Sequence, residues 1–307
     1  MPRAADPSPS ARGVLRQAGF VAAAAAVFAA AVTALPLRAA DGPKLRVCSD
    51  PDNMPLSNAA GEGFENKLAT LVAGELGKRL AYTWAPQDDN FVHETLSAHR
   101  CDVIIGVPRE LGSLDTTRPY YWSSYVLVSR ADRNLDITSL KDHRLDKLKI
   151  GVASINGNRF YSPPAQVLAH SGSLDRIIGY PIDGVDGAPE QRAAIIAAVA
   201  RRDIDVAAVW GPLAGYFVQR SPVPMTVRMI GDTDEFSARK THFQLLALQF
   251  EIGMAVRKGD DVLRGALDAV IARRQPEITT LLKSFGVPLI EPEHLAAAAN
   301  SHSAAPD

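Results

Sequence analysis

Short apolar runs alternate along this chain with longer segments of helical periodicity. The runs at 103–105 and 206–210 are rich in β-branched residues and lie between Asp and Gly. These features are typical of buried parallel strands. Between the first strands, apolar residues recur at the spacing of a helix that Gly77 would end, namely Phe64, Leu68, Leu71, Val72 and Leu76.

The sequence contains the same pattern of strands and helices twice. "LRVC" at Leu45 is followed 57 residues later by "DVIIG" at Asp102, and "LKIG" at Leu148 is followed 57 residues later by "DVAAVWG" at Asp205. Each half therefore reads as strand, helix, strand, helix, strand. Strands that alternate with helices predict α/β sheets covered on both faces.

We expect two doubly wound lobes. Lobe one comprises residues 44–130 and 231–292, and lobe two comprises 132–229. The strand at 123–130 carries the chain across, and the segment at 261–287 adds helices that finish lobe one. Two crossovers make a hinged clamshell, while the low-complexity tail at 293–307 is expected to be flexible.

The first 40 residues read as a signal peptide. Arg3, Arg12 and Arg16 precede an Ala-rich apolar run that ends in small residues and a Pro. The run at 18–37 is also long enough for a membrane anchor, which is the alternative reading. The small residues and the Pro favour cleavage, and therefore a periplasmic protein whose mature form has no membrane segment.

Charge and cysteine content narrow the function. Residues 1–40 hold four basic residues and one acid, so the remainder carries 29 basic against 33 acidic residues. No basic patch stands out, and nucleic acid is excluded as a partner. Cys48 and Cys101 are the only cysteines. In an exported protein they favour a disulfide, the alternative being two buried free thiols.

The loops that follow the strands are the candidate site, because ligands of open α/β sheets bind at the carboxyl ends of strands. In a clamshell these ends face each other across a cleft. Each residue also has a structural explanation, as a turn, a helix cap or part of the core. The predicted cleft residues are Asp50, Asp52, Asn53, Met54, Val107, Pro108 and Arg109 from lobe one, and Asn156, Tyr161, Trp210 and Pro212 from lobe two.

Motifs for chemistry are missing. The chain has no nucleophile elbow, P-loop, Gly-rich dinucleotide fingerprint or HExxH. We therefore expect no catalysis, no cofactor and no metal site.

Several stretches carry a specific resemblance. "RVCSDPDNMPLSN", "GEGFENKLA", "RCDVIIGVP", "TTRPYYWSSYVLVSR", "DVAAVWGPLAGYF" and "EIGMAVRKGD" run in order through nearly the whole chain after residue 40. They resemble the family-3 periplasmic solute-binding proteins, which have the type II periplasmic binding protein fold. Within that family they resemble the MxaJ/XoxJ type, the partners of PQQ-dependent alcohol dehydrogenases.

Departures from the wider family concern the ligand. Amino-acid-binding members hold the α-carboxylate with an Arg after the third strand, and here Leu114 falls about where that Arg would be. Arg109 comes five residues early, and the bulky, uncharged "VWGP" follows the last strand of lobe two. The resemblance thus implies that a standard amino acid is a poor ligand.

Three functions follow from this reading. The resemblance implies an accessory protein that binds and helps to mature or activate a PQQ-dependent methanol or alcohol dehydrogenase. Those that are exposed among Trp84, Tyr120, Tyr121, Trp122, Tyr161, Trp210 and Tyr216 are expected to be aromatic anchors for that partner. The alternative is a solute receptor that delivers another small molecule to an ABC importer. A third possibility, an enzyme on this scaffold, lacks a visible acid/base pair.

Overall fold

A computed structural model describes residues 42–109, 112–154, 162–170, 174–182, 189–231 and 248–290. The predicted signal peptide and the tail lie outside these residues. The strands are β1 (Lys44–Ser49), β2 (Asp52–Asn53), β3 (Ser57–Asn58), β4 (Arg79–Trp84), β5 (Val103–Pro108), β6 (Asp115–Thr116), β7 (Tyr121–Arg130), β8 (Ile150–Ser154), β9 (Ile177–Pro181), β10 (Val206–Trp210), β11 (Met225–Met229) and β12 (Gln249–Val256). The helices are α1 (Phe64–Glu75), α2 (Pro163–His170), α3 (Pro189–Arg201), α4 (Gly211–Gln219) and α5 (Asp261–Ser284).

The strands follow one path in the order β4-β1-β5-β12-β7-β10-β8-β9. Strands β4, β1 and β5 run parallel, as do β10, β8 and β9, while β12 and β7 run antiparallel to their neighbours. We call β1–β6, α1, β12 and α5 lobe one, and β8–β11 with α2–α4 lobe two. The type II clamshell fold is confirmed, whereas the exact lobe limits stay a prediction.

Strand β7 belongs to both lobes. Residues 121–124 pair with β12, and residues 125–130 pair with β10 and β11. At the change of partner, the Tyr125 N–H donates to the Leu248 carbonyl over 2.9 Å, and the Tyr125 carbonyl accepts from the Ile230 N–H over 3.1 Å. Both crossovers therefore meet at Tyr125, which marks the hinge.

The internal repeat has a structural basis in two aspartates. Asp102, before β5, accepts a hydrogen bond from the Arg46 N–H at 3.0 Å, and the Arg46 carbonyl accepts from the Asp102 N–H at 2.8 Å. Asp205, before β10, makes the same pair of bonds with the backbone of Lys149, both at 2.9 Å. Each aspartate thus fixes the first and third strand of its lobe in register.

The end of α1 agrees with the sequence prediction, whereas the extent of α5 differs from it. Helix α1 ends before Gly77, whose φ of +61° is the left-handed conformation that glycine favours. The segment at 261–287, expected to form more than one helix, is instead the single helix α5 with Pro276 inside it. Ile271 and Ile278, on either side of Pro276, are both buried in the core of lobe one. This packing holds the helix continuous where local sequence would break it.

The two cysteines form a disulfide. Cys48 in β1 is joined to Cys101, just before β5, with a Cα–Cα distance of 5.5 Å. Both are buried, in a cluster with Phe91, Leu96 and Val107. Closing a loop of this length contributes about 4 kcal/mol in the chain-entropy model. Cys48 is therefore a tie between neighbouring strands.

Candidate functional site

The loop after β1 is held by its own polar groups. The Asp50 carboxylate accepts from the backbone N–H groups of Asp52 and Gln87, each over 2.8 Å, and the Asp50 carbonyl accepts from the Ser57 hydroxyl over 2.8 Å. Asp50 thus organises a turn rather than capping a helix. Asp52, Asn53 and Met54 remain partly exposed at the rim of the cleft.

Asn53 makes a contact that crosses between the lobes. Its side-chain nitrogen donates to the Gln87 side chain over 2.7 Å, and its side-chain oxygen accepts a hydrogen bond from Arg192 in the first turns of α3. Asn53 lies in lobe one and α3 in lobe two, so the bond spans the mouth of the cleft.

Arg109, the possible substitute for a carboxylate-binding arginine, already has a partner. Its guanidinium forms an ion pair with Glu251 on β12, and its backbone N–H donates to the Glu251 carbonyl over 3.1 Å. Leu114, at the position of the family arginine, is only 8% exposed and packs in the disulfide cluster. The described residues thus place no unpaired arginine at this edge of lobe one.

Of the remaining predicted cleft residues, some are partly exposed and others are buried. The Trp210 indole N–H donates to the Ser123 hydroxyl over 2.7 Å, and the ring packs on the core of lobe one. Trp210 therefore bridges the lobes near the hinge. Val107 and Pro212, predicted at the cleft, are instead buried, because Val107 packs in the cluster around the disulfide and Pro212 lies in the first turn of α4. Pro108 is partly exposed at the end of β5, and Asn156 and Tyr161 lie outside the described residues.

An acid that was not predicted lies beside the end of β5. Glu65, in the first turn of α1, lies against the end of β5, where a Cβ built on Gly106 would collide with its Oε1 atom. Burial, together with the nearby Asp50 carboxylate, raises the pKa of Glu65 to about 8. No Lys or Arg among the described residues forms an ion pair with it.

Three tyrosines lie within the electrostatic influence of this acid. Burial, with a smaller effect of the Glu65 charge, raises the pKa of Tyr82, Tyr120 and Tyr121. The Tyr120 hydroxyl lies 3.3 Å from the Cβ position of Gly106 and has no hydrogen-bond partner, although the residue is only 1% exposed. Tyr120 and Tyr121 are buried and therefore do not belong to the exposed aromatic residues expected to anchor a protein partner. Trp84, Trp122, Trp210 and Tyr216 are partly exposed.

The described residues show neither a metal-binding cluster nor a membrane-spanning helix. No group of three or more His, Cys, Asp or Glu side chains in these ranges could hold a metal ion. None of the helices described above is long and apolar enough to span a bilayer.

Comparison with known proteins assigns the family. Residues 45–285 match the bacterial extracellular solute-binding proteins, family 3. The chain belongs to this family. A curated relative, protein MoxJ of Methylorubrum extorquens AM1, is 30% identical over 81% of this chain and 83% of its own length.

Two solved structures are similar over almost their whole length. The periplasmic binding protein XoxJ from Methylobacterium extorquens AM1 is 36% identical, with a TM-score of 0.63, and the match covers 80% of this chain and 99% of XoxJ. MxaJ from Methlophaga aminisulfidivorans MPT is 27% identical, with a TM-score of 0.64, covering 80% of this chain and 100% of MxaJ. The resemblance to the MxaJ/XoxJ type is confirmed.

The residues that sequence reasoning missed are Glu65 and Arg192. A Glu in the first turn of a helix is expected from the helix dipole, which conceals its burial. Arg192 could have been found from the order of the elements. Helix α3 follows β9 and leads to β10, so its first turn lies at the carboxyl-terminal edge of the strands, where ligands of open α/β sheets bind.

Proposed function

We propose that this protein is a non-catalytic periplasmic accessory protein that binds a PQQ-dependent methanol or alcohol dehydrogenase and helps to mature or activate it. The observation that supports this most is the match to MoxJ and XoxJ through nearly the full length of each. Export by the segment at 1–40 belongs to the same proposal.

The geometry of the cleft supports a protein partner over an amino acid. Arg109 is committed to Glu251, and Leu114 is turned into the core. An α-carboxylate thus lacks the bidentate arginine that usually binds it. Partly exposed Trp84, Trp122 and Trp210 provide aromatic surface of the kind that dominates protein interfaces.

Capture from the native host tests this function. The full chain with a C-terminal affinity tag is expressed in its host, and proteins that co-purify are identified by mass spectrometry. We expect the dehydrogenase in the eluate and its loss when Trp122 is changed to Ala. An eluate that contains importer subunits and lacks the dehydrogenase would contradict the accessory role.

The second candidate is a solute receptor for an ABC importer, whose ligand is a small molecule other than a standard amino acid. The observation in its favour is the unpaired acid Glu65 beside the unpartnered Tyr120 hydroxyl. A small ligand would stabilise the native state by RT ln(1 + L/Kd), where L is its free concentration, so the melting temperature would rise with the logarithm of that concentration above Kd.

A further inference from the structure

We propose that Glu65 and Tyr120, at the floor of the cleft, form a binding site for a single primary alkylammonium group. This inference goes beyond the proposed partnership, because it concerns a site that purified protein and small probes can test alone. The ammonium group can belong to a free amine or to a lysine side chain of a bound polypeptide.

Glu65 has no counter-charge among its described neighbours. A carboxyl group in a largely desolvated place stays ionised only when a cation or several donors accompany it. Burial and the nearby Asp50 carboxylate both disfavour the ionised form of Glu65 and raise its pKa. The remaining titratable groups that face it are Tyr82, Tyr120 and Tyr121. A bound cation would supply the missing counter-charge.

The buried Tyr120 hydroxyl has no hydrogen-bond partner. Buried hydroxyl groups almost always have a hydrogen-bond partner, and an exception requires an explanation. This hydroxyl and the Glu65 Oε1 atom converge on the same side of Gly106. A primary ammonium has three N–H donors, so one group can donate to both oxygens.

Access to the site lies on the side of Gly106, because Glu65 and Gly106 are both partly exposed although Tyr120 is buried. Tyr82, whose hydroxyl accepts a hydrogen bond from Asn66 beside Glu65, stacks on Trp84 with ring centroids 4.3 Å apart, and aromatic rings attract cations. Because Arg109 is paired with Glu251, the arginine nearest the position used by amino-acid-binding relatives is committed, and the group proposed here is an amine without an α-carboxylate.

Calorimetric titration of the purified protein tests the site. The probes are ethylammonium, tetramethylammonium and N-acetyl-lysine methylamide, each at pH 7 and pH 9. Only ionised Glu65 pairs with a cation, so a pKa of about 8 makes binding about tenfold tighter at pH 9. Ethylammonium should bind more tightly than tetramethylammonium, which has no N–H to donate.

Three variants separate the site from general effects. Glu65→Gln, nearly the same in shape, should weaken ethylammonium binding at least about tenfold and abolish its pH dependence. Tyr120→Phe should weaken it about fivefold. Glu94→Gln changes an exposed acid of the same lobe and should leave binding unchanged.

The result decides both the site and the source of its ligand. Tighter binding of the lysine derivative than of ethylammonium supports the site and assigns the group to a polypeptide, and equal binding supports it with a free amine. Affinity that is independent of pH, equal affinity in Glu65→Gln, or no binding of any probe overturns the proposal. None of these outcomes depends on whether the dehydrogenase is captured.

Discussion

Two acidic residues, Asp102 and Glu65, have pKa values that their surroundings shift in opposite directions. Burial opposes ionisation of Asp102, but the hydrogen bonds from Arg46 and the nearby Arg257 hold the pKa of Asp102 below its usual value. Glu65 has burial without such donors, and its pKa is raised. The difference separates an acid that stabilises the fold from one that is available to a ligand.

Asp102→Asn should lower the free energy of unfolding by about 2–3 kcal/mol at neutral pH, because charged hydrogen bonds to Arg46 are lost. The folded-state pKa of Asp102 is depressed, so its contribution is present above the unfolded pKa and is lost as pH falls through the folded pKa. Urea denaturation should therefore show a smaller difference from wild type near pH 3. A constant difference at both pH values would contradict this.

Glu65→Gln should raise the melting temperature at pH 8.5 and change it little at pH 5. The folded-state pKa of Glu65 is raised, so the native state loses stability as pH rises from the unfolded value through about 8. Each kcal/mol regained raises the melting temperature by about 2–4 °C. Scanning calorimetry against pH measures this, with Glu94→Gln as the control. Parallel pH curves for wild type and Glu65→Gln would refute the assignment.

At the scale of secondary-structure elements, the local sequence was sufficient to predict α1 and the repeated strands. Gly77 ends α1 through its own backbone conformation, and the apolar spacing fixed the buried face. The continuity of α5 was not predictable, because it depends on Ile271 and Ile278 packing against other elements. The site was less predictable still, since the burial of Glu65 requires Gly106 of a distant strand.

Helix α4 is fixed to lobe one by a close backbone approach. A Cβ on Gly215 would collide with the Gly286 carbonyl, and Tyr216 stacks on Phe285 with centroids 6.1 Å apart. This contact lies beyond the end of α5, so it joins the second lobe to the last described segment of the first.

Gly215→Ala should destabilise the protein by about 1–3 kcal/mol, because backbone on the facing segment must move. Gly265→Ala is the matched control in α5, where an added Cβ meets nothing within 4 Å. It should stabilise by about 0.5–1 kcal/mol through helix propensity. Chemical denaturation of both variants measures the difference, and equal stability of the two would show that the close approach does not constrain α4.

For the whole molecule, the position of one lobe relative to the other depends on few groups. Trp210 and Ser123 connect the lobes near the hinge, and Arg192 and Asn53 connect them across the mouth of the cleft. A third connection is the close approach of Gly215 in α4 to Gly286, so opening about the hinge at Tyr125 must keep or break this contact. This arrangement suits a cleft that admits a large partner.

Arg192→Ala should shift the protein toward the open form, because a hydrogen bond worth about 0.5–1.5 kcal/mol at the cleft mouth is lost. Small-angle X-ray scattering should show a larger radius of gyration. Arg201→Ala, at the other end of α3, removes an exposed ion pair with Asp203 and should leave the radius unchanged. Identical scattering of Arg192→Ala and wild type would exclude a role for this contact in closure.

The central claim is that the protein serves a PQQ-dependent dehydrogenase, and dehydrogenase activity in a strain lacking this protein tests it most directly. Activity is measured in cell extract at equal amounts of dehydrogenase polypeptide. The account predicts a several-fold loss of specific activity that the wild-type gene restores. Undiminished specific activity in the deletion strain would contradict the claim.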